Sequence, residues 1–253
     1  MSTLYVVATP IGNLEDITLR ALRILKEVDF LLCEDTRVTK KLLGHYQIDK
    51  PLISYHQHSD AKKVSGILEL LREGKNLAFV TDAGTPGISD PGNELINVVL
   101  RPFNKVQGRP EELEGRQAQD KQVPDVKVVP IPGPSALTAV ASIAGFPMDK
   151  FVFLGFPPAK KGRKKFFEGV VQAEHPVIFY ESPYRIAKTL EELKTTLRQD
   201  SGQVNYKLEV VVGRELTKKF ETIYRGTIDE VVEQLRGSEV RGEFVVVVGK
   251  ERG

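Results

Sequence analysis

The chain has 253 residues, enough for one large domain or two of about 125 each. Lys and Arg total 36 against 34 Asp and Glu, a formal net charge of +2. No global field therefore demands a nucleic-acid partner, and any such argument must come from local clustering. A single cysteine, Cys33, excludes an intramolecular disulfide and a cysteine-rich metal site. The start, Met1-Ser2-Thr3-Leu4, lacks the basic segment of a signal peptide, and no run approaches the ~20 apolar residues of a membrane span. The expectation is a cytoplasmic protein with no membrane partner.

Strands and helices alternate through the first hundred residues. Leu4 to Ala8 reads as a strand ending at Thr9-Pro10-Ile11-Gly12-Asn13. Asp16 or Thr18 can cap a helix whose apolar face is Leu19, Leu22, Leu25 and Val28. Asp29 to Cys33 is a second strand, followed by Glu34-Asp35-Thr36-Arg37, and Cys33 reads as a buried strand residue rather than a nucleophile. Leu52 to Tyr55 is a third strand, and Val64, Ile67, Leu68 and Leu71 mark a helix. His56 and His58 alternate at the strand end and read as surface or structural residues. Leu77 to Val80 is a buried strand, and Leu95, Ile96 and Val99 begin the next helical pattern. Such alternation of apolar strands with helices argues for a parallel sheet covered on both faces.

Residues 101–125 break the pattern with Gln, Glu, Arg, Gly and Pro. They read as a flexible excursion, with room for a charged surface helix from Glu111 to Gln119. Val126 to Ile131 is a strand ending in Pro132-Gly133-Pro134-Ser135-Ala136, and Leu137, Val140, Ala141 and Ala144 continue as a helix stopped by Gly145 and Pro147. In the second half Phe151 to Phe156, Val177 to Tyr180, Leu208 to Val212, Thr222 to Arg225 and Phe244 to Val248 read as strands, joined in part by short connections. That sheet should be mixed or antiparallel. Ser182-Pro183 reads as a helix start, with Ile186, Leu190, Leu193 and Leu197 as its stripe. Thr227-Ile228-Asp229-Glu230 fits a capping box before Val231, Val232 and Leu235. The expected domains are 1–131, an α/β domain carrying the excursion, and 132–253, a second α/β domain.

The segment Val80-Thr81-Asp82-Ala83-Gly84-Thr85-Pro86-Gly87-Ile88-Ser89-Asp90-Pro91-Gly92 is the strongest ligand signal. It sits at the carboxyl end of the Leu77 to Val80 strand, read as parallel, where open α/β sheets bind ligands. Its glycines permit close backbone approach, and its prolines reduce the entropy lost on docking. No G-x-x-x-x-G-K-[ST], no G-x-G-x-x-G, no His-x-x-x-His and no Cys-x-x-Cys occurs, so neither a P-loop, a nicotinamide fingerprint nor a transition-metal site is expected. The loops Thr9 to Asn13, Glu34 to Arg37, Asp82 to Gly92 and Pro132 to Ala136 should gather at one sheet edge. They offer amides, hydroxyls and a few carboxylates with little cationic charge. S-adenosylmethionine (SAM) suits them better than a triphosphate does.

Several blocks carry a resemblance. Leu4 to Leu14, Cys33 to Arg37, Val80 to Gly92, Pro132 to Ala136, Phe179-Tyr180-Glu181-Ser182-Pro183 and Arg214-Glu215-Leu216-Thr217-Lys218 resemble, in family order, the bacterial ribosomal RNA small subunit methyltransferase I family of the tetrapyrrole methylase superfamily. The resemblance implies a two-domain α/β fold with SAM between the domains and a homodimer. It implies methyl transfer to the ribose 2′-oxygen of a cytidine in the decoding region of 16S rRNA. Carried over by position, Gly84, Thr85, Gly87, Ile88 and Asp90 match the cofactor loop, Ser135 and Ala136 a second cofactor contact, and Pro10 and Tyr180 positions lining the cofactor. In the family the connection that residues 101–125 occupy here is short.

A ribose hydroxyl needs a proton acceptor, and Glu34 and Asp35 are candidates because they end a strand at the cofactor edge. Arg37 could hold the neighbouring phosphate, or pair with Glu34 to fix the loop. Arg214, Glu215 and Lys218 are charged residues of unassigned role. The cluster Lys160-Lys161-Gly162-Arg163-Lys164-Lys165 reads as a phosphate clamp for RNA or as a solvated loop and helix start. No metal is required. Two alternatives stand beside this reading: a tetrapyrrole C-methyltransferase whose basic cluster binds carboxylates, and a non-catalytic SAM-binding RNA or assembly factor.

Overall fold

A computed structural model describes residues 1–56, 59–90, 92–100, 126–200, 207–236 and 241–250. Residues 101–125, read from the sequence as a flexible excursion with room for a helix from Glu111 to Gln119, and also His58 and Pro91, lie outside the described residues. The chain forms two compact units: Met1–Pro10 with Leu14–Pro134, and Ile11–Asn13 with Ser135–Gly253.

In the first unit the strands are β1 (Thr3–Val7), β2 (Phe30–Cys33), β3 (Leu52–Ser54), β4 (Leu77–Val80) and β5 (Lys127–Ile131). They form one sheet in the order β3-β2-β4-β1-β5, with every pairing parallel. Alternation divides the core. Val7, Leu31, Cys33, Ala78 and Val80 face one layer with Ala21, Ile24 and Leu25 of α1 (Leu19–Glu27) and Leu43 of α2 (Thr36–His45). Leu4, Leu32, Leu77 and Phe79 face the other with Ile67, Leu68 and Leu71 of α3 (Ala61–Arg72) and Leu95 and Val99 of α4 (Gly92–Leu100). Apolar residues on both faces require helices on both, as expected of parallel strands. Cys33 is fully buried, and burial raises its thiol pKa, which makes it a core residue and not a nucleophile.

Two local expectations needed correction. Thr18 caps α1 by accepting from the Ala21 amide, so the helix starts at Leu19. Leu19 is then 86 % exposed, and the buried face is Ala21, Ile24 and Leu25. Helix α2 was not read from the sequence at all, because Thr36-Arg37-Val38-Thr39-Lys40-Lys41 has few apolar residues at helical spacing.

The second unit holds α5 (Ala136–Ile143), β6 (Val152–Phe153), α6 (Arg163–Gln172), β7 (Val177–Glu181), α7 (Ile186–Asp200), β8 (Leu208–Arg214), β9 (Thr222–Thr227), α8 (Ile228–Arg236) and β10 (Phe244–Lys250). Its sheet runs β6-β7-β10-β8-β9, parallel only between β6 and β7, so the mixed sheet is as expected. The strand expected over Phe151–Phe156 contracts to Val152–Phe153, since Gly155 takes a positive φ of 63° ahead of two prolines. The helix expected from Pro183 begins at Ile186, after a turn in which the Arg185 and Ile186 amides both return to the Ser182 carbonyl. The capping box forms as read: the Thr227 amide donates to Glu230 Oε2 at 2.8 Å and the Glu230 amide to Thr227 Oγ1 at 3.3 Å.

Candidate cofactor edge and charged loops

Because the first sheet is parallel, its carboxyl ends share one edge. The order β2-β4-β1-β5 places their four following loops side by side. These loops are cross-linked. Thr9 and Gly84 exchange backbone hydrogen bonds of 3.0 Å in both directions. Thr85 Oγ1 donates to the Pro134 carbonyl at 2.9 Å, and the Asp35 amide donates to Asp82 Oδ1 at 3.0 Å. Gly133 packs so closely on Ala8 that a Cβ would lie 2.9 Å from the alanine methyl.

The glycine-rich loop is held from inside by Asp90. Its carboxylate accepts from the amides of Gly87 (2.8 Å), Ile88 (3.2 Å) and Gly92 (2.7 Å). Asn93 Nδ2 donates to the Gly87 carbonyl at 2.8 Å. Gly84 and Gly87 have φ of 84° and 90°, and Ser89 shares the left-handed region at 64°. Asp90 therefore shapes the loop through the loop's own backbone amides.

Glu34, Asp82 and Asp90 lie near enough to interact. Burial first, then the Asp82 and Asp90 charges, push the Glu34 carboxyl above its ordinary value. Asp35 is the opposite case. It caps α2 by accepting from the Arg37 amide at 2.8 Å, and it pairs with the Arg37 guanidinium at 2.6 Å. The Arg37 side chain leads in holding its carboxyl down at about 2. A carboxylate so stabilised is a weak proton acceptor, so of the two candidates Glu34 suits that role. The anticipated Glu34–Arg37 pair is replaced by Asp35–Arg37. Asp82, not singled out from the sequence, links the β2 and β4 loops and helps raise the Glu34 carboxyl.

In the second unit, Ser135, Ala136 and Tyr180 come together. Ser135 occupies the N-cap position of α5 without a side-chain cap bond. Burial raises the Tyr180 phenol, offset by hydrogen bonds with the Leu137 backbone and the Ser135 side chain. Phe153 and Phe156 pack on the Tyr180 ring at centroid distances of 5.0 and 5.4 Å.

The basic cluster divides. Lys160, Lys161, Lys164 and Lys165 are exposed, whereas Arg163 is only 7 % exposed. The Arg163 guanidinium donates to Glu192 Oε2 at 2.5 Å, Thr189 Oγ1 at 2.6 Å and the Pro158 carbonyl at 3.0 Å, and lies 3.8 Å from buried Glu181. It stitches α6, α7 and the end of β7 together, so it is withdrawn from the expected phosphate clamp.

The block Arg214–Lys218 has a use that the sequence did not reveal. Ile11–Asn13 belongs to the second unit, where the Asn13 amide donates to Thr217 Oγ1 at 3.1 Å. A Cβ on Gly12 would lie 2.2 Å from Lys218 Cγ. Lys218 Nζ is fixed at 3.0 Å from both Glu215 and Glu243. Glu215 and Thr217 adopt φ of 50° and 67°, uncommon for non-glycine residues.

Residues 3–107 and 113–232 match the family model of tetrapyrrole (corrin/porphyrin) methylases. The chain is 43 % identical over 247 residues to a ribosomal RNA small subunit methyltransferase I of Mycoplasmopsis pulmonis, covering 98 % of this chain and 97 % of that one. It is 39 % identical over 252 residues to that of Thermotoga maritima, covering 99 % and 100 %. The chain belongs to the ribosomal RNA small subunit methyltransferase I family. Its fold is that of the tetrapyrrole methylases. A cobalt precorrin-4 methyltransferase superposes with a TM-score of 0.61 at 18 % identity, covering 98 % of this chain and 94 % of that one. A uroporphyrin-III C-methyltransferase from Thermus thermophilus, complexed with S-adenosylhomocysteine, superposes with a TM-score of 0.59 at 17 % identity, covering 98 % and 97 %. No helix among the described residues is long and apolar enough to cross a membrane.

Proposed function

We propose that this member of the ribosomal RNA small subunit methyltransferase I family transfers a methyl group from SAM to the ribose 2′-oxygen of a cytidine in the decoding region of 16S rRNA, acting as a cytoplasmic homodimer. The observation that carries the cofactor reading is the charge of the first sheet's carboxyl edge. Across residues 8–13, 34–37, 81–90 and 132–136 the only Lys or Arg is Arg37, and Asp35 neutralises it. Glu34, Asp82 and Asp90 add negative charge. That balance suits a sulfonium and an α-ammonium, and it disfavours a polyphosphate. The amides and carbonyls of Gly84, Thr85, Gly87 and Ile88, with Pro10, would hold the cofactor, and Ser135, Ala136 and Tyr180 are the further cofactor-binding residues of this reading.

SAM, when bound, supplies a methyl group already activated by positive sulfur. The chain's own task is to orient the acceptor and remove a proton. Glu34 accepts the proton of the ribose hydroxyl, and its raised pKa brings it nearer the working range of a base. Lys160, Lys161, Lys164 and Lys165 contact phosphates of the RNA. Incubating small ribosomal subunits with the protein and isotopically labelled SAM, then analysing the 16S nucleosides by mass spectrometry, tests the reading. Label in 2′-O-methylcytidine supports it. Label elsewhere, or none, rejects it.

A further inference from the structure

The outer side of the charged loop in the second unit forms an open concavity of about 540 Å³, lined by Arg214, Glu215, Lys219, Phe220, Thr222 and Arg241, with Glu221 and Gly242 completing its wall. Its two carboxylates are occupied within the fold. Glu215 Oε1 takes the Lys218 ammonium at 3.0 Å and the Glu243 amide at 2.9 Å, and Glu221 Oε2 takes the Thr217 amide at 2.6 Å. Three cations line the same concavity. Arg214 is steadied by Nε donating to the Arg241 carbonyl at 2.7 Å, which uses one of its five N–H donors. Lys219 and Arg241 are exposed.

Among these cations stands Phe220, 67 % exposed. The Lys219 ammonium lies 5.6 Å from its ring centroid. The turn that presents it is firm: the Glu221 amide donates to the Lys218 carbonyl at 3.0 Å, and Thr222 Oγ1 donates to the Phe220 carbonyl at 3.2 Å. The left-handed conformations of Glu215 and Thr217 lie in the same turn. Backbone strain at two non-glycine residues is tolerated where the surroundings fix a shape that function needs. A firmly held, exposed aromatic ring ringed by cations matches the way proteins hold single-stranded nucleic acid, with bases stacked on rings and phosphates met by Arg and Lys.

We infer that this concavity is a subsite for an unpaired stretch of the RNA substrate, with Phe220 stacking on one base and Arg214, Lys219 and Arg241 receiving adjacent phosphates. The inference rests on the RNA reading above and adds the residues that choose single-stranded over paired RNA. A base inside a duplex has no open face to offer the ring.

The test is a fluorescence titration of single-stranded and duplex oligoribonucleotides containing 2-aminopurine, using the full chain and its Phe220→Ala, Phe220→Trp and Arg241→Gln variants. Phe220→Ala should weaken single-strand binding roughly ten-fold or more, and Phe220→Trp should restore it. Neither should move SAM affinity or the salt slope, whereas Arg241→Gln should flatten the slope by about 0.7. Equal single-strand affinity for wild type and Phe220→Ala overturns the inference, as does equal dependence of duplex binding on Phe220. Methyl transfer to 16S rRNA is measured on the same preparations. If wild type methylates and Phe220→Ala matches it in RNA affinity, the subsite fails and the functional reading stands. If wild type does not methylate yet binds single strands through Phe220, the subsite stands and the functional reading fails.

Discussion

Lys218 Cγ occupies the space that a side chain on Gly12 would need, 2.2 Å from where its Cβ would be. The lysine cannot simply swing away, because its ammonium lies 3.0 Å from both Glu215 and Glu243. Gly12 has no positive φ, so the requirement at this position is for space and not for backbone freedom. Gly12→Ala should destabilise by about 1–3 kcal/mol. Lys218→Ala should relieve the clash, so the double variant should be more stable than the sum of the single losses by about 1 kcal/mol or more. Urea denaturation of the four proteins measures this coupling, and additive losses would show that the contact is not decisive.

Glu34 and Asp35 are adjacent in sequence and opposite in chemistry. Glu34→Gln should cut turnover by about 10²–10⁴, the usual range for a lost proton acceptor, while leaving SAM affinity within about two- to three-fold. Its stability effect has a definite sign. The folded state holds the Glu34 proton more tightly than the unfolded chain, so ionisation costs stability as pH rises through the raised value. Glu34→Gln should therefore melt higher than wild type at neutral pH and about equally in acid. Asp35→Ala should lower the melting temperature by removing the cap of α2, and should retain most turnover. Because the Asp35 carboxyl is lowered to about 2, its contribution persists above the ordinary carboxylate range and disappears only as pH falls toward that value. Steady-state methylation with calorimetric melting from pH 3 to 8 covers both residues. Full turnover by Glu34→Gln would remove it as the base.

Asp90 gives the glycine-rich loop its shape by collecting three amides. Asp90→Ala leaves those donors without their acceptor, at a cost of about 1.5–3 kcal/mol for each charge-assisted bond that water does not replace. SAM affinity should fall at least ten-fold, with Asp90→Asn intermediate and RNA affinity unchanged. Isothermal titration of SAM against each variant decides it.

The basic segment should separate into two phenotypes. Replacing Lys160, Lys161, Lys164 and Lys165 by Gln should leave the melting temperature unchanged and flatten the salt dependence of RNA binding by up to roughly 2.8 log–log units. Arg163→Gln should instead destabilise by about 1–3 kcal/mol, because it strips buried donors from Glu192, Thr189 and the Pro158 carbonyl, while Arg185 still pairs with Glu181 at 2.8 Å. An Arg163→Gln protein with wild-type melting and weakened RNA binding would return Arg163 to the clamp.

Much of this was legible in the sequence because the signals were local. Mostly apolar runs of four to six residues marked β1, β2, β4 and β5, and their parallel pairing put the loops where the strand ends implied. The Thr227–Glu230 box was readable because both partners lie within one turn. What was not readable depended on distant partners. Arg163 looked like its lysine neighbours until Glu181, Thr189 and Glu192, all far along the chain, enclosed it. Helix α2 escaped because its apolar residues are sparse and its start is set by Asp35. The role of Lys218 against Gly12 spans about two hundred residues, and no periodicity encodes such a contact.

The parallel register of β1 has a consequence for biosynthesis. Its residues Thr3 to Val7 align with Lys127 to Ile131 on one side, while Leu4 to Val6 align with Leu77 to Phe79 on the other. β1 is therefore synthesised before both of the strands that flank it. Its second edge stays apolar and open until β5 has followed it out of the ribosome. Newborn chains stalled before β5 emerges should be the species that aggregate or recruit chaperones.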